Sequence, residues 1–277
     1  EERAAVTIDN NAAILPEQFV NDIQGLREGF PSLKENCHIV HVTSNHGKMP
    51  FAKIGGKKLT KYKSGTKLTG EAANTEDINY NIENYGALVP IANDLQEDEA
   101  VNIVQDVIKP DFAEAGVNSE NDEILQIVEA NAVDKSTGVT DWRGVKKVID
   151  GVLPTLRAKT VVITNLAGYV YLQSQEDKNG RNLDLVKTVN GKDYFQNRQL
   201  ITLSDEAVTA SATGKVVFYV VNLYALVKFF ERKGYTVSTD KSVFFESDET
   251  ALKVQERFDC EKLDDRADFK VEFTPAA

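Results

Sequence analysis

The chain has 277 residues, 42% hydrophobic and 27% charged, which is enough apolar material for one elaborate domain or two smaller ones and excludes a disordered chain. Asp and Glu number 43 against 32 Lys and Arg, and a net charge of -11 argues against a protein that grips nucleic acid through its phosphates, because that requires clustered cations. The longest apolar runs, such as Val216 to Val221, fall far short of the ~20 residues of a membrane helix, and Cys37 and Cys260 lack the paired spacing of a disulfide framework or a four-cysteine zinc site.

Residues 1–11 are polar and aperiodic, which reads as an arm without the apolar core of a signal peptide. A start at Glu1 without methionine is what trimming or removal of an upstream segment leaves. From Leu15-Pro16, a proline at a first helical position precedes Phe19, Val20, Ile23 and Leu26 at helical spacing, until Gly29 and Pro31 stop the run. Cys37 to Thr43 alternates and is rich in β-branched residues, as a strand is. Residues 45–79 then change character: glycines punctuate a run holding Lys48, Lys53, Lys57, Lys58, Lys61, Lys63 and Lys67, the one basic island in an acidic chain. Alternation inside it predicts a long two-stranded hairpin with too few apolar residues for a core of its own.

A strand follows over Ile82 to Ile91. Asn93-Asp94, with Glu97, Asp98 and Glu99 in the first turns, opens a long helix to about Asn131, which Pro110 should kink and Gly116 weaken. Beyond the turn at Asp134 to Gly138, helices at Trp142 to Leu153 and Leu166 to Gln173 enclose a strand at Thr160 to Thr164. Further strands read at Gln199 to Leu203, Lys215 to Val221, Tyr235 to Ser238, Val243 to Phe245, Leu252 to Phe258 and Phe269 to Phe273, with turn chemistry at Lys178 to Arg181. The mixture is α+β.

His38, His41 and His46 do not make a metal site, because residues three apart on a strand face opposite sides and no further His or paired Cys completes the set. Gly56-Lys57-Lys58 and Gly214-Lys215-Val216 lack the spaced glycine and the Ser or Thr of a phosphate loop. No nucleophile elbow or catalytic-cysteine signature is present, and acidic runs such as Glu97-Asp98-Glu99 and Asp264-Asp265 read as solvated faces. The expectation is a protein that is not an enzyme and has no cofactor. An α+β enzyme would need a concave site with convergent titratable groups.

The order of these elements resembles that of the Hong Kong 97-type major capsid proteins of tailed phages. The local carriers are Gly86-Ala87-Leu88-Val89-Pro90-Ile91-Ala92-Asn93-Asp94-Leu95, similar to the strand entering the family's spine helix, and Val162 to Tyr169 with Asp177-Lys178-Asn179-Gly180-Arg181. Val254 to Asp259 and Arg266 to Phe269 are similar to its closing strands. The resemblance implies an N-terminal arm with the first helix and strand (1–44), an extended loop (45–79), a peripheral domain (80–132 with 244–277) and an axial domain (133–243). It further implies an icosahedral phage head of hexamers and pentamers enclosing double-stranded DNA, formed in the host cytoplasm with a portal and a scaffold or scaffolding segment, and with no membrane partner.

On this reading Lys57, Lys58, Lys61, Lys63 and Lys67 meet acidic surface on a neighbouring copy. Pro110 and Gly116 give the spine helix places to flex as a procapsid expands. Some members cross-link through an asparagine, but the late region reads Ser247-Asp248-Glu249-Thr250, so no cross-link is expected. The same fold also serves as an encapsulin-type nanocompartment shell, the alternative kept open here.

Overall fold

The computed structural model describes residues 22–23, 25–27, 29–52, 75–92, 108–247 and 249–275. Two sheets carry the architecture. Strands β1 (His38–His41), β4 (Glu83–Ala92), β11 (Val227–Phe244) and β12 (Glu249–Lys262) form a four-stranded sheet in the order β1-β11-β12-β4, with β1 parallel to β11 and the rest antiparallel. A seven-stranded mixed sheet runs β5-β13-β10-β6-β9-β8-β7. Its members are β5 (Val133–Asp134), β6 (Val161–Asn165), β7 (Val186–Val189), β8 (Lys192–Phe195), β9 (Arg198–Leu203), β10 (Val216–Val221) and β13 (Asp268–Phe273). The hairpin β2 (His46–Ala52) with β3 (Thr75–Asn81) stands apart as a two-stranded ladder.

The apolar run of β10 shows how the sequence places this second sheet. Val217, Tyr219 and Val221 join the cluster beneath helix α1 (Lys109–Asn131), whose Ile124, Leu125 and Val128 face them. Val216, Phe218 and Val220 point the other way, onto Val145 and Ile149 of α2 (Trp142–Gly151) and Tyr171 and Leu172 of α3 (Leu166–Gln173). A strand covered on both faces reads as unbroken apolar sequence. The first half of α1 packs differently: Phe112 and Ala113 meet Leu252 and Val254 of the four-stranded sheet, so one helix bridges both sheets.

The sheets divide the chain elsewhere than at the expected boundary between 243 and 244. Strand β11 registers on β12 from Val227↔Lys262 to Phe244↔Glu249, so residues 227–243 belong with 83–92. Strand β13 crosses to the other sheet, between β5 and β10, because Val271 and Phe273 fill the same cluster as Phe218. The short strand expected at 235–238 and the first two residues of that expected at 243–245 are parts of β11, while Phe245 begins a 3₁₀ turn, and residues 186–195, not read as strands, form the β7–β8 hairpin. Of the helix expected at 15–26, residues 22–23 and 25–26 are described and helical. The first turns expected for the long helix, at 93–107, lie outside the described residues.

Candidate assembly surface

The root of the basic hairpin is built into the body of the chain. Alternation on β2 sends Met49 and Phe51 inward, where they join Ile78, Tyr80, Phe230 and Leu263. Tyr80 stacks on Phe230 at 4.7 Å between ring centroids, and Phe51 meets the same ring edge-on at 6.1 Å. Gly47 lies under Tyr80, where a Cβ would come within 2.5 Å of the phenol oxygen, and Ser44 Oγ shares a 2.8 Å hydrogen bond with that hydroxyl. The register His46↔Asn81 to Ala52↔Thr75 is therefore pinned from one side, and Lys48 to Asp77 at 2.9 Å ties its exposed face. Lys57, Lys58, Lys61, Lys63 and Lys67 lie outside the described residues.

A knot of buried charge fixes the segment that leads into the hairpin. Arg27 reaches Glu120 of α1 at 2.6 Å, and Lys34 reaches Glu120 at 2.7 Å, Glu231 of β11 at 2.9 Å and Glu256 of β12 at 3.5 Å. Three carboxyls face two cations, and Glu120 and Glu256 hydrogen-bond each other. Two carboxylates cannot share that bond without a proton between them. Burial, with the Glu120 charge, pushes Glu256 up to about 8; Glu120 is held below the usual range, its burial outweighed by the Glu256 bond and the two cations. The proton sits on Glu256, and the knot is neutral.

Two surfaces stand open around this knot. Asp111, Glu114 and Asp122 line the exposed side of α1, and none pairs with a cation among the described residues. With Glu129 in the same row they span about 27 Å of helix at 1.5 Å per residue. Beside them β4 is an edge strand among the described residues, paired there to β12 alone, with Leu88 51% exposed. Pro90 is tolerated there because an edge strand can spare a donor. On the other face of the seven-stranded sheet, α3 exposes Leu166 and Val170, one turn apart. Sequence reading missed the acidic row, although its spacing was legible as one helix face. The β4 edge was not legible, since only the pairing shows which side lacks a partner.

The expected flex points both lie on α1. Pro110 is the second residue of α1 as described, next to the buried Lys109. Gly116 has a packing role as well: a Cβ there would come 3.0 Å from the ring of Tyr235, whose hydroxyl donates to Phe112 O at 2.6 Å. His38 and His41 serve packing and pairing: His38 stacks on Tyr224 and bonds Lys228 Nζ at 2.8 Å, and His41 lies 3.1 Å from Glu231. Among the described residues no three His, Cys, Asp or Glu converge as metal ligands, and no helix is long and apolar enough to cross a membrane. Cys37 and Cys260 are free; Cys37 is buried, its thiol pushed up to about 12 by burial, while Cys260 is partly covered. The Asp177 to Arg181 turn closes as its spacing predicts, Asp177 Oδ1 accepting from Asn179 N and Arg181 N while Gly180 takes a φ of +73°.

Comparison with known proteins gives one consistent likeness. The model of a family described as the phage capsid family matches residues 11–272. No curated protein matches in sequence. Among solved structures, the capsid of a native GTA particle superposes with a TM-score of 0.66 at 13% identity, over 89% of this chain and 90% of that one. A structure from Microbacterium phage Oxtober96 gives 0.62 at 13% identity, over 89% and 92%. The virus-like particle from Pyrococcus furiosus gives 0.57 at 12% identity, over 92% and 98%.

Proposed function

The chain belongs to the phage capsid family and has its Hong Kong 97-type fold, and from that premise we propose that it assembles as hexamers and pentamers into an icosahedral head around packaged double-stranded DNA. The observation that carries the assembly reading is a complementary pair on one subunit: a hairpin rooted at Phe230 whose sequence continues into the lysines, and a face where Asp111, Glu114 and Asp122 have no cation partner among the described residues beside the β4 edge. A neighbouring copy supplies the match, and opposite patches steer the encounter.

In this reading Lys57, Lys58, Lys61, Lys63 and Lys67 contact the acidic face of the adjacent subunit's peripheral part, built around α1 and the four-stranded sheet. The seven-stranded sheet with α2 and α3 is the axial part, where Leu166 and Val170 have apolar surface to cover. Helix α1 flexes near Pro110 and Gly116 as the shell expands. A portal and a scaffold or scaffolding segment take part, assembly takes place in the host cytoplasm, and the DNA is enclosed without sequence-specific contacts. Native mass measurement of the purified chain under assembly conditions tests this: species of six and five copies are expected, and a chain monomeric under every condition contradicts it.

The likeness to the Pyrococcus furiosus virus-like particle, which this chain matches over 98% of that chain, favours one second reading: a nanocompartment shell of encapsulin type. Neighbouring genes separate the two, terminase and portal genes for a phage head, a cargo gene for a compartment.

A further inference from the structure

A cleft of about 350 Å³ lies between the 3₁₀ turns Lys34–Asn36 and Arg157–Lys159 and the β8–β9 hairpin. Lys159, Arg198, Asn36 and Gln199 line it, with Tyr194 and Tyr224. Arg198 Nε and Asn36 Nδ2 are covered from solvent and have no acceptor among the described residues. A buried donor left unpaired costs about 1–3 kcal/mol, and both of these belong to residues that line the one cleft.

The charge around the cleft points the same way. Lys159 makes no ion pair among the described residues; its ammonium lies 3.2 Å from the ring centroid of Tyr224. Behind that ring Lys228 is buried, donates to Tyr224 O at 2.9 Å and has no carboxylate within bonding distance among the described residues. Burial, with the Lys159 charge adding to it, lowers the Lys228 ammonium to about 8. Glu35, the carboxylate in the lining, is held by Lys192 at 3.0 Å, and Asp150, which feels the Arg198 charge, is hydrogen-bonded by Lys146 at 2.7 Å. Positive charge is left over here, in a protein of net charge -11.

We propose that this cleft is an oxyanion site, and that a carboxylate side chain of a second copy fills it when copies associate. An arginine fork and an ammonium suit one planar, two-oxygen group. A polymeric phosphate would need a row of cations, which two residues in one cleft do not make. Each further copy brings an excess of carboxylates, so the same charge imbalance that leaves the cleft unfilled in one chain supplies its ligand from the next. The occupant rests on the assembly reading above; the oxyanion site does not.

Calorimetric titration of the purified full chain with inorganic phosphate tests the site, using Arg198→Gln and Lys159→Gln, each checked by thermal melting. The wild type is expected to bind saturably, and either substitution to weaken binding roughly tenfold, the loss of one charge-assisted contact. Should Arg198→Gln fail to fold, Lys159→Gln, at an exposed side chain, carries the comparison. Absence of saturable binding by the wild type, or binding unchanged in the variants, overturns the site. Native mass measurement of the same proteins tests the occupant: both variants should associate less than wild type, and variants that bind phosphate poorly yet associate normally overturn the second-copy carboxylate. A wild type that never associates strikes the assembly reading instead, and the titration still decides the site.

Discussion

Asp268 opens β13 with its side chain fully buried and both carboxyl oxygens without a hydrogen-bond partner among the described residues. Burial, with the Asp265 charge adding, pushes its pKa up to about 8. An acid raised in this way contributes its stability in full below its unfolded value of ~3.9, and loses it as the pH rises through about 8. Asp268→Asn should therefore raise the melting temperature over wild type by several degrees at pH 9 and by clearly less at pH 5; an equal difference at both pH values contradicts the assignment. The charge knot gives a second contrast. Glu120→Gln removes the carboxylate that Arg27 and Lys34 share and should cost about 3–5 kcal/mol in urea denaturation at pH 6, where Glu256 is protonated, the usual loss when one partner of a buried pair is removed. Glu256→Gln should cost far less there, because an amide N–H replaces the proton that Glu256 carries toward Glu120. Neither carboxyl stood out in the sequence, where Glu256 is one charge in an alternating strand; their meeting depends on α1 lying across β12.

Among the elements, α3 was legible to the residue. Asn165 caps it, its side chain accepting from Gly168 N at 2.9 Å, and the apolar run behind it fixes the length. Gly168 is required by close approach: a Cβ would overlap Thr164 Oγ1, which is held in place by its bond to Val217 O at 2.8 Å, and would come 3.2 Å from Phe218. Gly168→Ala should cost about 1–3 kcal/mol, read as a lowered urea midpoint with an unchanged slope. Strand β11 was read only in fragments, because Glu231-Arg232-Lys233-Gly234 looks like a turn; the strand absorbs it as register shifts between Glu231 and Lys233 and between Lys233 and Thr236. The β7–β8 hairpin was legible and went unread. Asn190 and Gly191 take φ of 52° and 74°, the two positive angles that an Asn-Gly hairpin turn supplies.

For the molecule as a whole, the α+β class and the order of elements could be read from the chain because each apolar run matched one period. The crossing of β13 into the second sheet could not, since an alternating strand fits either sheet until Val271 and Phe273 find Phe218. The root of the basic arm was legible as a hairpin, and its receiving surface was not, because an acidic helix face acquires meaning only beside a free strand edge. Replacing Lys57, Lys58, Lys61 and Lys63 together with Glu should leave the melting temperature of the subunit near wild type while sharply reducing assembly, with sedimentation as the readout; normal assembly of that variant removes the arm's role. The central claim, that this chain is a shell subunit, meets its most direct test in electron microscopy of the purified protein under assembly conditions. Closed particles of uniform diameter are the predicted result, and a field of single subunits under every condition tried contradicts it.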